Sequence, residues 1–268
     1  MRGVSADALR VATERTEALA ESADAERLGA DLFAVHGVLV GAPALRRVIT
    51  DPSAPSSAKA RLAESIFSGK VADSALEVVT TIAGERWSGS VDFVAATEQL
   101  GALAYVIAAE KQGQLDGLED DLFRFGRVVA ADPRLRDAIT NRRVPAQPRQ
   151  ELVANLLEGR ASTPAVQLAV QAVATSHRSF EAALEHYQVI AADRQARVLA
   201  LVRSALELTE EERSRLAAAL KRQYGRDVHL NVIVDPQVLG GIEVDIGDEV
   251  IDGTVAGRLD DARRRMTG

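Results

Sequence analysis

Residues 228–259, VHLNVIVDPQVLGGIEVDIGDEVIDGTVAGRL, carry the densest structural signal in the chain. Apolar residues alternate with polar ones over 228–234 and again over 242–246, which is the period of a half-buried β-strand. Asp235-Pro236 and Gly240-Gly241 separate the two runs, because proline fixes φ and glycine reaches backbone conformations closed to other residues. The segment therefore predicts a small sheet that leads into a terminal helix.

A further strand and a helix are predicted just before this segment. Residues 197–205 are rich in Val, Leu and Ala, which favours a first strand. The sequence Thr209-Glu-Glu-Glu212 matches a capping box, in which the threonine and the glutamate three residues later satisfy free amides at a helix start. The helix is expected to run to about Tyr224.

The remainder of the chain has the apolar spacing of helices, at intervals of three and four residues. Asp132-Pro133 and Thr163-Pro164 each place a capping side chain directly before a proline, which predicts two further helix starts. The predicted helices of the first 112 residues cover approximately 5–21, 25–41, 57–67, 72–87 and 91–112. This pattern indicates a helical bundle.

The helical pattern repeats after 90 residues. Between positions 32 and 75, twelve of 44 residues are identical to the residue 90 positions later, without a gap. The matches include the pairs Pro43 and Pro133, Pro55 and Pro145, and Gly69 and Gly159. Convergence of two unrelated helical patterns is the alternative, but helical periodicity alone does not place prolines and glycines. We therefore interpret the repeat as an internal duplication.

The predicted fold class is α+β and predominantly α. Two tandem helical-bundle modules are expected at residues 1–95 and 96–195, followed by a small sheet and helix domain at 196–268. A chain of 268 residues with 47% apolar residues is long enough to bury such cores.

Composition excludes several classes of function. A formal net charge of −7 and a pI near 5.3 argue against a nucleic-acid surface, because phosphate binding requires concentrated positive charge. Without cysteine the chain forms no disulfide, thiolate metal site or cysteine nucleophile.

Residues 1–31 carry frequent charges and the longest apolar run, Ala102 to Ala109, has eight residues. We therefore expect no signal peptide and no membrane span.

No catalytic, metal or nucleotide motif is found. The four histidines form no zinc-binding pair, and Ser68-Gly69-Lys70-Val71 lacks the upstream glycine and the hydroxyl residue of a phosphate loop. The carboxylates Asp245, Asp248, Glu249 and Asp252 are interpreted as a solvated turn. Alternation along a strand splits them between two faces, whereas a hard cation requires converging oxygens. We expect no cofactor; an enzyme site at these carboxylates is a weak alternative.

The strings VDP at 234–236 and LGGIEVDIGDEVIDGTVAGRL at 239–259 closely resemble the C-terminal signature of the delta subunit of bacterial F-type ATP synthase, the oligomycin-sensitivity-conferring family. Family members usually have one helical N-terminal domain, so the second repeat matches it and the first is an extra copy. This arrangement resembles the extended delta subunits of high-GC Gram-positive bacteria. The chain has Gly101-Ala102 where the family has Tyr-Ala, with Tyr105 nearby but off register.

The resemblance implies a non-catalytic stator subunit that ties the catalytic head to the peripheral stalk against rotor torque. The helical part is expected to bind the N-termini of alpha subunits, and the C-terminal domain the b-type stalk subunits. One copy per complex is expected, held peripherally on the cytoplasmic face of the cell membrane. The first copy either lies along the stalk or binds a second alpha N-terminus. A stand-alone helical-repeat adaptor outside ATP synthase is the alternative.

In the family, a groove between the first and fifth helices of the N-terminal domain receives an alpha N-terminal helix. The residues that the resemblance assigns to this groove are Ala104, Val106, Ala109, Val166, Val170 and Val173. Bundle core is an equally good interpretation of them. The expected stalk-binding residues are Ile242, Val244, Ile246, Val250 and Arg258. For Arg258, a charge matched to the end of the terminal helix is the alternative.

Overall fold

A computed structural model describes residues 1, 3–174, 179–195, 198–224, 228–235, 238, 241–246 and 249–252. The chain divides into two compact units, residues 1–192 and 193–268. The first is helical and the second contains a sheet, so the predicted α+β class with a predominance of helix is confirmed.

The helical part begins with α1 and continues through ten more helices in the described residues. Their bounds are α1 Val4–Ser22, α2 Ala25–Gly41, α3 Pro43–Ile49, α4 Ser56–Phe67, α5 Asp73–Gly84, α6 Ser90–Lys111, α7 Leu115–Ala131, α8 Pro133–Thr140, α9 Ala146–Leu157, α10 Thr163–Ala172 and α11 Phe180–Gln195. One hydrophobic core runs through these helices.

The 90-residue offset found in the sequence also relates the helices. The helices α7, α8, α9 and α10 each begin 90 residues after α2, α3, α4 and α5, respectively. Local contacts repeat as well. Asp31 Oδ2 accepts a hydrogen bond from the Ala72 amide (2.7 Å), and Asp121 Oδ2 accepts one from the Ser162 amide (3.0 Å). Gly69 and Gly159 follow α4 and α9 with φ of 71° and 67°, a conformation that favours glycine.

The two sets of helices share α6. By the 90-residue offset, α1 corresponds to 94–112 and α11 to 90–105, so α6 is the counterpart of both helices. We call α1–α6 the first set and α6–α11 the second set. The predicted module boundary between residues 95 and 96 falls inside α6, so the structure has no linker at that position.

Helix α6 is apolar on every side over residues 100–109 and is buried there. A run of buried residues extends from Leu100 to Ala109, and α6 contacts α1, α2, α3, α7 and α10. Its length and composition would suffice for a membrane span, contrary to the expectation from apolar runs alone. However, 78% of the span-length window is buried inside the unit, as in the core helix of a globular bundle.

The predicted helix starts are correct to within one residue. Asp132 caps α8, because its Oδ1 accepts hydrogen bonds from the amides of Arg134 (2.8 Å) and Leu135 (3.2 Å). Thr163, however, is the first residue of α10 and not its cap. Ser162 takes the cap position, one residue before the position that the proline rule predicts, and its amide donates to Asp121.

The second unit is a four-stranded sheet with one described helix. Its elements are β1 Val198–Ser204, α12 Glu210–Tyr224, β2 Val228–Val234, β3 Ile242–Ile246 and β4 Glu249–Asp252. The strand order is β2-β1-β3-β4; β1 is parallel to β2 and antiparallel to β3, and β3 is antiparallel to β4. The three predicted strands and α12 are confirmed. The fourth strand was not predicted, and the predicted terminal helix lies outside the described residues.

The core of the second unit lies on one face of the sheet. Val202 of β1 is paired with Val232 on one side and Val244 on the other, and Leu220 of α12 belongs to the same buried cluster. The capping box at the start of α12 is confirmed. The Thr209 amide donates to Glu212 Oε2 (2.9 Å), and the Glu212 amide donates to Thr209 Oγ1 (3.3 Å).

We predict that Gly101→Ala destabilises the helical unit by about 1–2 kcal/mol. A Cβ at Gly101 would lie 3.0 Å from Phe33 Cδ2, and the buried Phe33 ring has no room to yield. The overpacking cost therefore exceeds the gain of about 1 kcal/mol from higher helix propensity. Guanidinium unfolding followed by Trp87 fluorescence measures the change, because the single tryptophan of the chain lies in this unit.

Gly37→Ala is the matched control, since Gly37 lies in α2 and a Cβ there meets no atom within 4 Å. This variant should be more stable than the parent by up to about 1 kcal/mol. Equal effects of the two substitutions would contradict the close approach of α2 and α6.

Candidate functional site

The three α6 residues assigned to a partner groove lie in the interior. Ala104, Val106 and Ala109 are each 0% exposed. They are enclosed because α6 is packed between helices of both sets. The structure therefore places them in bundle core, the second interpretation given above, and not on an open surface.

The three α10 residues are more accessible. Val166 and Val170 are half-buried against the core, whereas Val173 is buried at the C-terminal cap of α10. Val166 lines an open groove of about 360 Å³ between α9 and α10, together with Ala154 and Gln167. The structure thus brings Val166 and Val170 to one partly open helix face.

The first set carries a groove of the same form between α4 and α5, with a volume of about 390 Å³. Leu76, the counterpart of Val166 at the 90-residue offset, lines it. Its rim is more strongly charged, with Arg61 and Glu64 from α4 and Asp73 from α5. Glu77, on the same rim, forms an ion pair with Arg15 of α1.

A buried polar cluster joins α2, α6 and α11. The Tyr187 hydroxyl donates to Glu98 Oε1 (2.8 Å), and His36 Nε2 lies 3.7 Å from Glu98 Oε2. Phe33 packs edge-on against the Tyr187 ring. All four residues are nearly inaccessible to solvent, so the cluster fixes helix positions and does not present a reactive group. Sequence reasoning missed it, although a carboxylate at Glu98, two residues before the apolar run 100–109, was a signal.

Tyr105 belongs to the same interior and is not available to a partner. Its ring stacks on Phe33 at 5.9 Å between centroids. Burial raises the pKa of the Tyr105 phenol to about 12, and the nearby carboxylates of Glu26 and Asp31 act in the same direction.

Two buried cations occupy equivalent places in the two sets. Lys59 Nζ donates to the Glu85 carbonyl (2.6 Å) at the end of α5. Arg149, 90 residues later, donates to the carbonyls of Ile139 (2.8 Å) and Val173 (3.2 Å). Burial lowers the pKa of both side chains. Because each cation satisfies carbonyls at the negative end of a helix, both have a structural role.

In the second unit, the expected stalk-binding residues are divided between core and periphery. Val244 and Ile246 are buried in the core, and Ile242 is half-buried against it. Val250 pairs with Asp245 in the ladder between β3 and β4. Arg258 lies outside the described residues.

The carboxylates of β3 are engaged in ion pairs. Arg203 of β1 lies 3.1 Å from Glu243 and 3.1 Å from Asp245, on the face of the sheet opposite the core. Asp245 therefore has a cationic partner, and Asp248 is not among the described residues. Within the described part of the chain, no three His, Asp or Glu side chains are placed to hold a metal ion.

The chain is similar to known proteins over most of its length. The family model for the ATP synthase delta (OSCP) subunit matches residues 101–266. The ATP synthase subunit delta of Kineococcus radiotolerans is 47% identical over 250 residues, covering 93% of this chain and 91% of the relative. That of Streptomyces avermitilis is 45% identical over 267 residues, covering 98% of each chain. The similarity to these relatives therefore includes the first set of helices.

We predict that Tyr105→Phe removes part of the stability loss of the helical unit at alkaline pH. The folded pKa of about 12 exceeds the ordinary value of 10.0, so below pH 10 the phenol is neutral in both states. Between about pH 10 and 12 only the unfolded chain loses the proton, which costs the parent roughly 2 kcal/mol of folding stability. Denaturant unfolding of parent and variant across this range measures the difference. Parallel pH profiles would contradict the burial of this phenol.

Proposed function

Because the chain belongs to the ATP synthase delta (OSCP) subunit family, we propose that it is a non-catalytic stator subunit of F-type ATP synthase. In this role it links alpha subunits of the catalytic head to the b-type subunits of the peripheral stalk. A linker of this kind holds the head still while the central rotor turns.

The observation that carries the proposal is the division of the chain into two compact units, each with its own hydrophobic core. A protein that ties two bodies together needs two separate docking surfaces, and separately folded units provide them. The family model matches residues 101–266, which include part of the first unit and most of the second. An enzyme would instead require converging reactive groups, whereas the buried polar groups described above serve packing.

For the second set, we propose that an alpha N-terminal helix lies along α10. Val166 and Val170 supply the partly open apolar face, in a helix-in-groove mode. Ala104, Val106 and Ala109 are buried in α6, which contacts α10. The partner helix is not expected to contact these three residues directly.

For the first set, we propose that it binds a second alpha N-terminus. Its first helix, α1, keeps exposed residues such as Arg10, Glu14 and Ala18 along one side, unlike its buried counterpart α6. The groove at α5 repeats the form of the groove at α10. Its larger number of carboxylates suits a partner helix with basic residues beside its apolar face.

We propose that the second unit binds the b-type stalk subunits, with Val250 and Arg258 as candidate contacts. Val244 and Ile246 support the sheet from its core, and Ile242 lies at the margin of that core. One copy per complex, held on the cytoplasmic face of the membrane through its partners, follows from a single attachment at the top of the head.

Co-purification tests the stator proposal. A tagged full-length chain expressed in its own cells should retain alpha and b-type subunits in approximately equal yield after mild detergent extraction. A chain that folds but retains neither subunit would contradict the proposal and favour an adaptor outside ATP synthase.

A double substitution tests the α10 surface. Val166→Asp with Val170→Asp should weaken binding of a synthetic alpha N-terminal peptide at least about tenfold, because each carboxylate must be desolvated in an apolar contact. Val189→Asp is the control, since Val189 is equally apolar, 51% exposed and on α11. Fluorescence anisotropy measures both affinities. An unchanged affinity of the double variant would contradict binding of the peptide along α10.

A further inference from the structure

Two large apolar residues of the second unit are exposed, and both lie at the same end of the sheet. Leu206 is 77% exposed and Val234 is 51% exposed. Val234 ends β2 and is paired with Ser204, the last residue of β1, and Leu206 follows Ser204 by two residues. Because β1 and β2 are parallel, their carboxyl ends meet at one end of the sheet. The two apolar side chains therefore belong to one surface.

Three carboxylates accompany this apolar pair. Glu207 follows Leu206 directly, and Glu210 and Glu211 begin α12. All three side chains are exposed, and within the described residues none of them forms an ion pair. We call Leu206, Glu207, Glu210, Glu211 and Val234 the carboxyl-end surface.

Negative charge predominates at this surface when all the charged residues around it are counted. Residues 204–215 together with 234 and 235 contain five carboxylates and two arginines. From β1 onward, the described residues contain nine carboxylates and five Lys or Arg side chains. The excess is therefore present both locally and across the described part of the sheet and α12.

The other cations of this part of the chain lie away from the carboxyl-end surface or are already paired. Lys221 and Arg222 are in the last turn of α12. Lys221 comes eleven residues after Glu210, which is about 16 Å along a helix. Arg203 is held by two carboxylates of β3, each 3.1 Å away. These three cations consequently do little to offset the carboxylates at the start of α12.

The position of two of the carboxylates has a structural explanation, but the surface as a whole does not. Glu210 and Glu211 in the first turn of α12 offset the positive end of the helix dipole. Glu207 precedes the helix and its cap, and exposure of Leu206 to water stabilises neither the helix nor the sheet. An exposed apolar pair beside unpaired carboxylates is instead complementary to a helix with one apolar and one basic side.

We propose that the carboxyl-end surface binds a basic amphipathic helix of a partner protein. The apolar stripe of that helix covers Leu206 and Val234, and its Lys or Arg side chains reach the three carboxylates. Val234 lies on β2, whereas Val250 lies on β4 at the other end of the strand order. The surface is therefore separate from the stalk contact proposed above, and it does not depend on the stator proposal.

The test uses the full-length chain with a reporter at this surface. Because the chain has no cysteine, Ser214→Cys provides a single labelling position, exposed and within one turn of Glu211. An environment-sensitive dye at this position reports binding here and not at the grooves of the helical unit. The probe is a peptide of Lys, Ala and Leu, about 18 residues long so that it is helical, with Leu along one side. Its twin carries Glu in place of every Lys.

The basic peptide should change the dye fluorescence saturably. Its affinity should be higher at about 0.01 M than at about 0.15 M salt, because the surface charges are screened at the higher concentration. The acidic twin should not bind.

Leu206→Ser tests the apolar part of the surface. This substitution should weaken binding of the basic peptide at least about fivefold, because the contact loses one large apolar side chain. Val91→Ser is the matched control, since Val91 is 73% exposed and lies in the helical unit. The control should change the affinity less than about twofold.

Glu210→Gln with Glu211→Gln tests the charged part. The double substitution leaves the Thr209 and Glu212 capping box in place and should weaken binding roughly threefold to tenfold at about 0.01 M salt. Asp7→Asn with Asp137→Asn is the control, because it removes the same charge from exposed positions of the helical unit. Its effect should be less than about twofold.

The proposal is overturned by any of three results. One is the absence of a saturable dye response to the basic peptide up to about 1 mM. Another is an equal loss of affinity in the two double variants, which would reduce the interaction to attraction by the net charge of the chain. The last is an affinity that Leu206→Ser leaves unchanged. Circular dichroism of each variant verifies that its helices are intact, so a loss of binding reports on the surface itself.

Discussion

The helical unit depends on the close approach of α2 and α6. Two glycines make it possible in a reciprocal arrangement, because Gly29 of α2 faces the ring of Tyr105 and Gly101 of α6 faces the ring of Phe33. A Cβ at either glycine would lie 3.0 Å from the opposing ring. This packing stacks the two aromatic rings and buries Glu98 beside the Tyr187 hydroxyl. The interior polar cluster is thus a consequence of how closely the two helices pack.

The position of α6 determines which surfaces remain for partners. In a single bundle, the first helix keeps one open side, as α1 does here. In the second set the same place is taken by α6, which the first set encloses. Open surface is therefore available at α10, at the α4 and α5 groove, and at a cleft lined by Arg124 and Arg160. The duplication adds a set of helices and at the same time closes one side of the set that matches the family.

Features with local causes could be predicted from the sequence. The alternation of apolar residues located two strands, and a local richness in Val, Leu and Ala located a third. The Thr209 capping box located α12. All of these signals depend on residues close together in the chain. The 90-residue repeat anticipated the offset of four helix pairs.

Features set by distant contacts could not be predicted. Burial of Val106 requires the first set to pack on α6, and the pairing of His36 with Glu98 joins residues 62 positions apart. The fourth strand is only four residues long and gave no alternating pattern of useful length.

The central claim is that one chain holds two different partners through two folded units. Sedimentation velocity of the full-length chain with an alpha N-terminal peptide and a soluble segment of the b-type subunits tests it most directly. The account predicts a ternary complex, in which saturation with the peptide leaves the affinity for the stalk segment unchanged. Displacement of one partner by the other would contradict it, because both would then occupy a single surface.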